Sequence, residues 1–271
     1  MSLQRTITVI FFISIFILPF TAWRFYLNSR PKSLPIQPRE EVTITIIPGW
    51  NLRDVADYFV KMGIVSSTKY VFALTGEPAT IDTKSYLFGN KILAGKGEGL
   101  SLEGYLAPET YRVFRDAALG DVVEKLIAER EKEFLQVSST IQDFHQTLTM
   151  ASLIEKETRT PEDRRLVADI LWRRLKKGWA LQLDSSVHYA VDKTGTVFTT
   201  DKERDDKSLW NTYKYPGLPP GPICNPSFDS VEAAITPVKN DYWYFLSGND
   251  GKMYYAKTLE EHTANRYKYL R

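Results

Sequence analysis

The chain reads as an α+β protein: an apolar N-terminal segment, a small α+β module, then a larger mixed α/β region closing on a β-hairpin and a helix. Three observations predict this class. Val42, Ile44 and Ile46 alternate with threonines, as a half-buried strand does, and helical periodicity follows at once. Residues 122–178 carry helix repeats with clear start and stop signals. Near the end, Tyr242–Leu246 and Lys252–Ala256 flank Ser247-Gly-Asn-Asp-Gly251, a hairpin pattern, and Thr258 with Glu261 then forms a capping box for a last helix.

From Thr6 to Trp23 no residue is charged, and Arg5 and Arg24 bracket the run. Eighteen residues at the helical rise span about 27 Å, near the thickness of a bilayer core, so residues 1–28 are predicted to form one transmembrane anchor. A cleaved signal peptide is the alternative, but no small-x-small cleavage site follows, and Trp23 suits an interfacial aromatic. Arg24, Arg30, Lys32 and Arg39 after the span would hold the body in the cytoplasm by the positive-inside rule. Large downstream domains can translocate against that bias. Residues 29–40, with three prolines and no periodicity, read as an extended linker.

The small module spans residues 41–100. After the strand, Pro48-Gly49 turns the chain, and Asn51 caps a helix with Leu52, Val55, Ala56, Phe59 and Val60 on one face. Gly63 ends it. A second helix after Ser67 turns Tyr70, Val71 and Leu74 inward and stops at Gly76. A closing strand is expected from Lys84–Phe88 or Gly99–Glu103.

The larger region spans residues 101–271. Leu102–Tyr111, LEGYLAPETY, mixes polar and aromatic residues without a period, which suits a loop or strand edge at a site. Val122, Val123, Leu126 and Ile127 mark a helix, and a second runs through Glu157. Thr160-Pro-Glu-Asp163 opens a third, closed by Lys176-Lys-Gly178, cations and glycine where the dipole and the left-handed turn favour them. Pro216–Pro226 holds five prolines in 11 residues; such a loop is stiff and suits either the wall of a cleft or a rigid connector.

Composition narrows the function. Thirty-five basic against 33 acidic residues leave a net charge of +2 with no single-sign block, so no nucleic-acid partner is expected. Cys224 is the sole cysteine, and His145, His188 and His262 are scattered as surface or core residues would be, so neither a metal site nor a cofactor is expected. Gly95, Gly97 and Gly99 lack the spacing of a phosphate loop. Ser66-Ser-Thr-Lys69, Lys193-Thr-Gly195 and Ser247-Gly-Asn249 imitate the short motifs of penicillin-binding serine enzymes, but in the wrong order.

One acid stands out. Read as a helix, Met150, Leu153, Ile154 and Glu157 share a face, which sets a carboxyl group into an apolar stripe, while Glu155 points the other way. Burial disfavours the charged form, so Glu157 could stay protonated near neutral pH and act as a general acid. A glutamate paired with Arg164 or Arg173 at the core's edge fits the same pattern. Downstream, Gln182 and Asp184 in LQLDSSVHYA, then Asn211, Thr212 and Tyr213, supply the amides, hydroxyls and aromatic faces that a saccharide needs.

The segments LEGYLAPETY (102–111), ASLIEKET (151–158), LQLDSSVHYA (181–190) and NTYKYPGLPPGPICNP (211–226), in this order, resemble the signatures of endolytic murein transglycosylases, the YceG-like family. The terminal hairpin and helix resemble that family's end, and Val42–Leu74 resembles its small LysM-like module. The resemblance implies a catalytic domain over 101–271 with Glu157 as the only catalytic acid and base, cutting between N-acetylmuramic acid and N-acetylglucosamine without water to leave 1,6-anhydro ends. Within that reading Gln182, Asn211 and Tyr213 are assigned to the sugars around the scissile bond, with Thr158 and Tyr111 as further candidates, while Asp184 and Glu103 suit either stabilising an oxocarbenium-like centre or capping a loop. The resemblance also places the body outside the cytoplasm, on peptidoglycan strands, with membrane-bound peptidoglycan synthases as partners. Two other readings stay open: a hydrolytic muramidase using Asp184 or Glu103 as second acid, and a non-catalytic peptidoglycan-binding scaffold.

Overall fold

A computed structural model describes residues 23, 24, 26, 38–76, 91–93, 95–137, 143–192 and 199–270. The chain divides into two units, Met1–Arg39 and Glu40–Arg271. Of the first, Trp23, Arg24 and Tyr26 are helical. No helix among the described residues is long and apolar enough to cross a membrane, and the expected anchor lies almost wholly outside them. Most of the expected linker, the candidate strand 84–88 and Lys193–Gly195 also lie outside the described residues.

The second unit is mixed α and β, with two small antiparallel sheets set among helices. Strand β1 (Glu41–Thr45) pairs with β2 (Thr110–Phe114), with Ile44 opposite Tyr111 and Val42 opposite Val113. Among the described residues the partner strand is thus supplied from much further along the chain than expected, and 99–103 forms turns instead. Tyr111 and Val113 face the core while Thr110, Arg112 and Phe114 face outward, a period of two that begins where the LEGYLAPETY segment ends.

Asn51 caps α1 (Leu52–Lys61): its side-chain oxygen accepts from the Arg53 and Asp54 N–H groups, and the Asp54 carboxylate accepts from the Asn51 N–H. Leu52, Val55, Ala56 and Phe59 are buried as the spacing predicts, whereas Val60 stays largely exposed. Helix α2 (Thr68–Thr75) buries Val71, but Tyr70 turns outward, where Lys69 lies over its ring. A helix this short covers one narrow stripe, and Val71 with Thr75 takes it.

Helix α3 (Leu119–Val137) buries Val122, Val123, Leu126 and Ile127. Helices α4 (Phe144–Glu157) and α5 (Pro161–Lys176) follow, then α6 (Asp184–Ala190), α7 (Asp201–Arg204) and α8 (Phe228–Ile235). Helix α4 packs on both α5 and α8 and is buried at every position from Thr147 to Ile154, so it runs through the core rather than along it. Its hydroxyls are satisfied by the helix itself: Thr147 donates to the Asp143 carbonyl, Thr149 to His145 and Ser152 to Thr149. Helix α5 begins at the predicted Thr160 cap and ends at the predicted lysines and Gly178.

The proline loop is mostly internal. Asn225 accepts from the Leu106 N–H and donates to the Trp50 carbonyl, while Arg130, fully buried on α3, donates to the Pro226 and Leu106 carbonyls. Gly104 makes the closest approach: at φ +85°, a Cβ there would sit 2.5 Å from Pro222. Only glycine fits both that conformation and that distance. The chain closes on β3 (Tyr244–Ser247), β4 (Met253–Ala256) and α9 (Leu259–Tyr269). Thr258 accepts from the Glu261 N–H as expected, but the Glu261 carboxylate takes the Lys257 N–H, so the reciprocal half of the capping box does not form.

Candidate active site

Glu157 is the last residue of α4, so the buried helix delivers its carboxyl group at the point where the chain leaves the core. There it meets the first turn of α6. The Ser185 hydroxyl donates to Glu157 Oε1 at 2.6 Å. Burial dominates the environment and pushes the Glu157 pKa up to about 7; the Ser185 hydroxyl and N–H pull it down, and nearby Asp184 pushes it further up. Neither arginine offered as a structural partner takes that role. Arg164 pairs with Glu155 and Arg173 with Asp169. Glu155 also accepts from the Ser227 N–H and from the Ser227 and Ser230 hydroxyls; burial raises its pKa, but these donors and Arg164 together outweigh it and hold the pKa below the usual value, tying α4 to the start of α8.

The segment before α6 is held by Thr212. Its carbonyl accepts from the Gln182 N–H, and its hydroxyl accepts from the Leu183 N–H and bonds Ser186. Gln182 has φ +55°, a left-handed conformation that costs a non-glycine residue about 1–2 kcal/mol and that this clamp sustains. Asp184 then opens α6 with Oδ1 accepting from the Tyr213 hydroxyl at 2.8 Å and the Thr199 hydroxyl at 2.5 Å, with Arg204 at 3.6 Å. The Arg204 guanidinium also lies over the Tyr213 ring.

These groups line a cleft of about 810 Å³. Its walls come from the start of α1, the end of α4, residues 182–192, strand β3 and helix α9. Glu157, Thr158, Gln182, Asp184 and Tyr213 are brought together there. Thr158 is nearly buried and donates to the Ile154 carbonyl. Three other candidates do not line it. Asn211 is buried: its amide donates to the Arg204 and Asp206 carbonyls, and its oxygen accepts from the Tyr213 N–H, so it shapes the loop that carries Tyr213. Tyr111 donates to the Ala107 carbonyl from within the core.

Glu103 lies behind the wall. Its Oε2 accepts from the Leu52 N–H and from the Tyr189 hydroxyl, Oε1 is buried without a partner, and burial pushes its pKa up to about 7. Tyr189 and Arg53, which lies over the Tyr189 ring, do line the cleft.

Sequence reasoning missed Ser185, although it stands inside the LQLDSSVHYA motif, because the bond to Glu157 links residues 28 apart in the chain. It also missed the part of β3, whose Tyr244 stacks on His262; both that histidine and His188 line the cleft rather than the plain core or surface. Arg174 binds this hairpin in place, donating to the Trp243 and Leu181 carbonyls. Of the serine-enzyme imitations, Ser66–Lys69 spans the start of α2 and Ser247–Asn249 falls at the hairpin turn.

An α+β fold whose core helix ends in a protonatable glutamate, in a cleft of hydroxyls and aromatic rings, defines a candidate acid-catalyst site of the kind that cleaves glycosidic bonds. The profile of the YceG-like family matches residues 28–268, and the chain belongs to that family. It is 41% identical over 175 residues to an endolytic murein transglycosylase of Bacillus subtilis strain 168, covering 62% of this chain and 48% of that one. It is 30% identical over 252 residues to the endolytic murein transglycosylase of Streptococcus pneumoniae D39, covering 84% of this chain and 45% of the relative. The chain thus spans about half the length of these relatives. A crystal structure of a yceG-like protein from Listeria monocytogenes matches with a TM-score of 0.72 at 34% identity, over 82% of this chain and 75% of that one.

Proposed function

We propose that this chain is an endolytic lytic transglycosylase that cleaves peptidoglycan between N-acetylmuramic acid and N-acetylglucosamine without water, leaving 1,6-anhydro ends. The observation that carries this reading is Glu157, a carboxyl group at the end of a buried helix, open to the cleft, whose pKa burial raises to about 7. It would donate its proton to the leaving glycosidic oxygen. The carboxylate so formed, stabilised by the Ser185 donors, would take the proton of the muramyl C6 hydroxyl as O6 attacks C1, restoring the acid. The internal nucleophile removes the need for a second carboxylate and supplies a high effective concentration.

Gln182, Tyr213 and Thr158 would orient the sugars, with Asn211 shaping the Tyr213 loop, and Glu103 holding Tyr189 and the start of α1 from behind; Tyr111 would support the β1–β2 side of the fold. Residues 41–100 would act as a LysM-like module; supporting this, the start of α1 forms part of the cleft wall. Residues 6–23 would anchor the chain by a single span, with the body outside the membrane among glycan strands and the membrane-bound synthases that make them. The names of the relatives support murein as substrate.

Asp184 favours a second reading, hydrolysis. Among the described residues its polar partners, the Tyr213 and Thr199 hydroxyls and Arg204, converge on Oδ1, so a second carboxyl group stands beside Glu157 in one cleft, the pairing that a water-activating glycosidase uses. Both readings require Glu157. Glu157→Gln is expected to reduce lysis of purified sacculi by at least about a hundredfold without lowering the melting temperature. Lysis that persists in the variant would remove Glu157 from the reaction, whereas wild-type chain that leaves sacculi intact would leave the scaffold reading.

A further inference from the structure

The cleft holds more positive charge than neutral sugars require. Six arginines and lysines line it against four acids. Arg53 pairs with Asp192 and Arg204 with Asp184; Asp54 caps α1, and Arg174 is buried among carbonyls. Lys156, Arg159 and Arg266 remain, all exposed, none with a carboxylate partner among the described residues. Two of them bracket the Glu157–Thr158 pair in sequence and reach different turns: Lys156 Nζ lies 3.9 Å from the Cβ position of Gly49 in the turn before α1, and an Arg159 Nη lies 3.0 Å from that of Gly251 in the β3–β4 turn.

Stabilising the reaction does not explain them. Positive charge develops at C1 as a glycosidic bond breaks, so an unopposed cation near that carbon would raise the barrier. Nor do they tune the acid, since the groups acting on Glu157 are burial, Ser185 and Asp184. Three free cations around a saccharide cleft suit a substrate whose negative charge is borne on its branches, at a distance from the scissile bond. In murein every second sugar carries, through its lactyl ether, a short peptide with free carboxylates.

We infer that the cleft reads the peptide stems as well as the sugars, pairing stem carboxylates with Lys156, Arg159 and Arg266; this rests on the murein reading above. Exposed ion pairs are individually weak, so the three together should supply about tenfold in affinity, screened by salt.

The test uses the full chain carrying Glu157→Gln, so that binding is measured without turnover. Dissociation constants are compared for soluble glycan fragments that retain their stems and for the same fragments stripped by an amidase. Stem-bearing glycan should bind about tenfold more tightly at low ionic strength, with the advantage shrinking as salt rises. Adding Lys156→Ala, Arg159→Ala and Arg266→Ala should bring the two constants together, whereas Lys156→Arg, Arg159→Lys and Arg266→Lys should keep them apart. Equal affinity for both fragments, or a preference that survives the three alanines, overturns the inference. A stem preference in this protein alongside wild-type protein that fails to cut sacculi would instead sink the activity and leave the stem site standing.

Discussion

Three glutamates with one covalent structure end in three different states. Glu155 is held charged by hydroxyls and Arg164, Glu157 is kept protonatable by burial at a helix end, and Glu103 is buried with one oxygen unsatisfied. The 3.6-residue period separated the first two in the sequence, because two positions on a helix face nearly opposite ways. It could not reveal Ser185, which reaches Glu157 only through the fold. Ser185→Ala removes a bond that favours the carboxylate, so the Glu157 pKa should rise further. The proposed mechanism needs the protonated acid, so wild-type activity should decline as pH climbs through about 7, and the variant's decline should move to higher pH. A pH–rate profile checks both.

Glu103 gives a stability counterpart. Its folded pKa, about 7, lies above the ordinary 4.5, so the native state holds this proton more tightly than the unfolded chain. The benefit is complete below about pH 4.5 and is lost as pH rises through 7. Glu103→Gln should therefore melt near the wild type at pH 5 and above it at pH 8, as thermal denaturation would report.

Elements with local signatures were legible. Helix α5 carries its cap, its proline and its terminal lysines in consecutive residues, and the hairpin carries its turn, so both lie where the sequence puts them. Strand β2 was hidden because Tyr111 and Val113 are too few to establish a period and β1, their partner, is far away in sequence. The proline loop's stiffness was readable, its location was not: Ile223 reaches the cleft wall, yet Asn225 and Pro226 bind α3 and the Leu102–Ala107 segment from inside. Gly104 is where that binding is tightest. Gly104→Ala combines a left-handed conformation with a collision against Pro222, and should cost about 3 kcal/mol in urea unfolding.

At the scale of the whole molecule, the cleft draws its walls from the start of α1 near residue 50 through to Leu270, so no contiguous stretch contains it. The sequence indicated Glu157, Thr158, Gln182, Asp184 and Tyr213 as neighbours through family motifs, and the fold gathers those five. It offered no signal that Arg53 would join them, since the pattern of its helix speaks only of local structure, and it marked Tyr189 and β3 as parts of family motifs without placing them at the cleft. The central claim is that one protonated acid and an internal nucleophile suffice. Purified sacculi are digested with the wild-type chain, and the glycan ends are weighed by mass spectrometry. Muramyl ends lighter by one water, in the 1,6-anhydro form and absent with Glu157→Gln, are the predicted result; reducing muramyl ends would contradict it and assign Asp184 the activation of water.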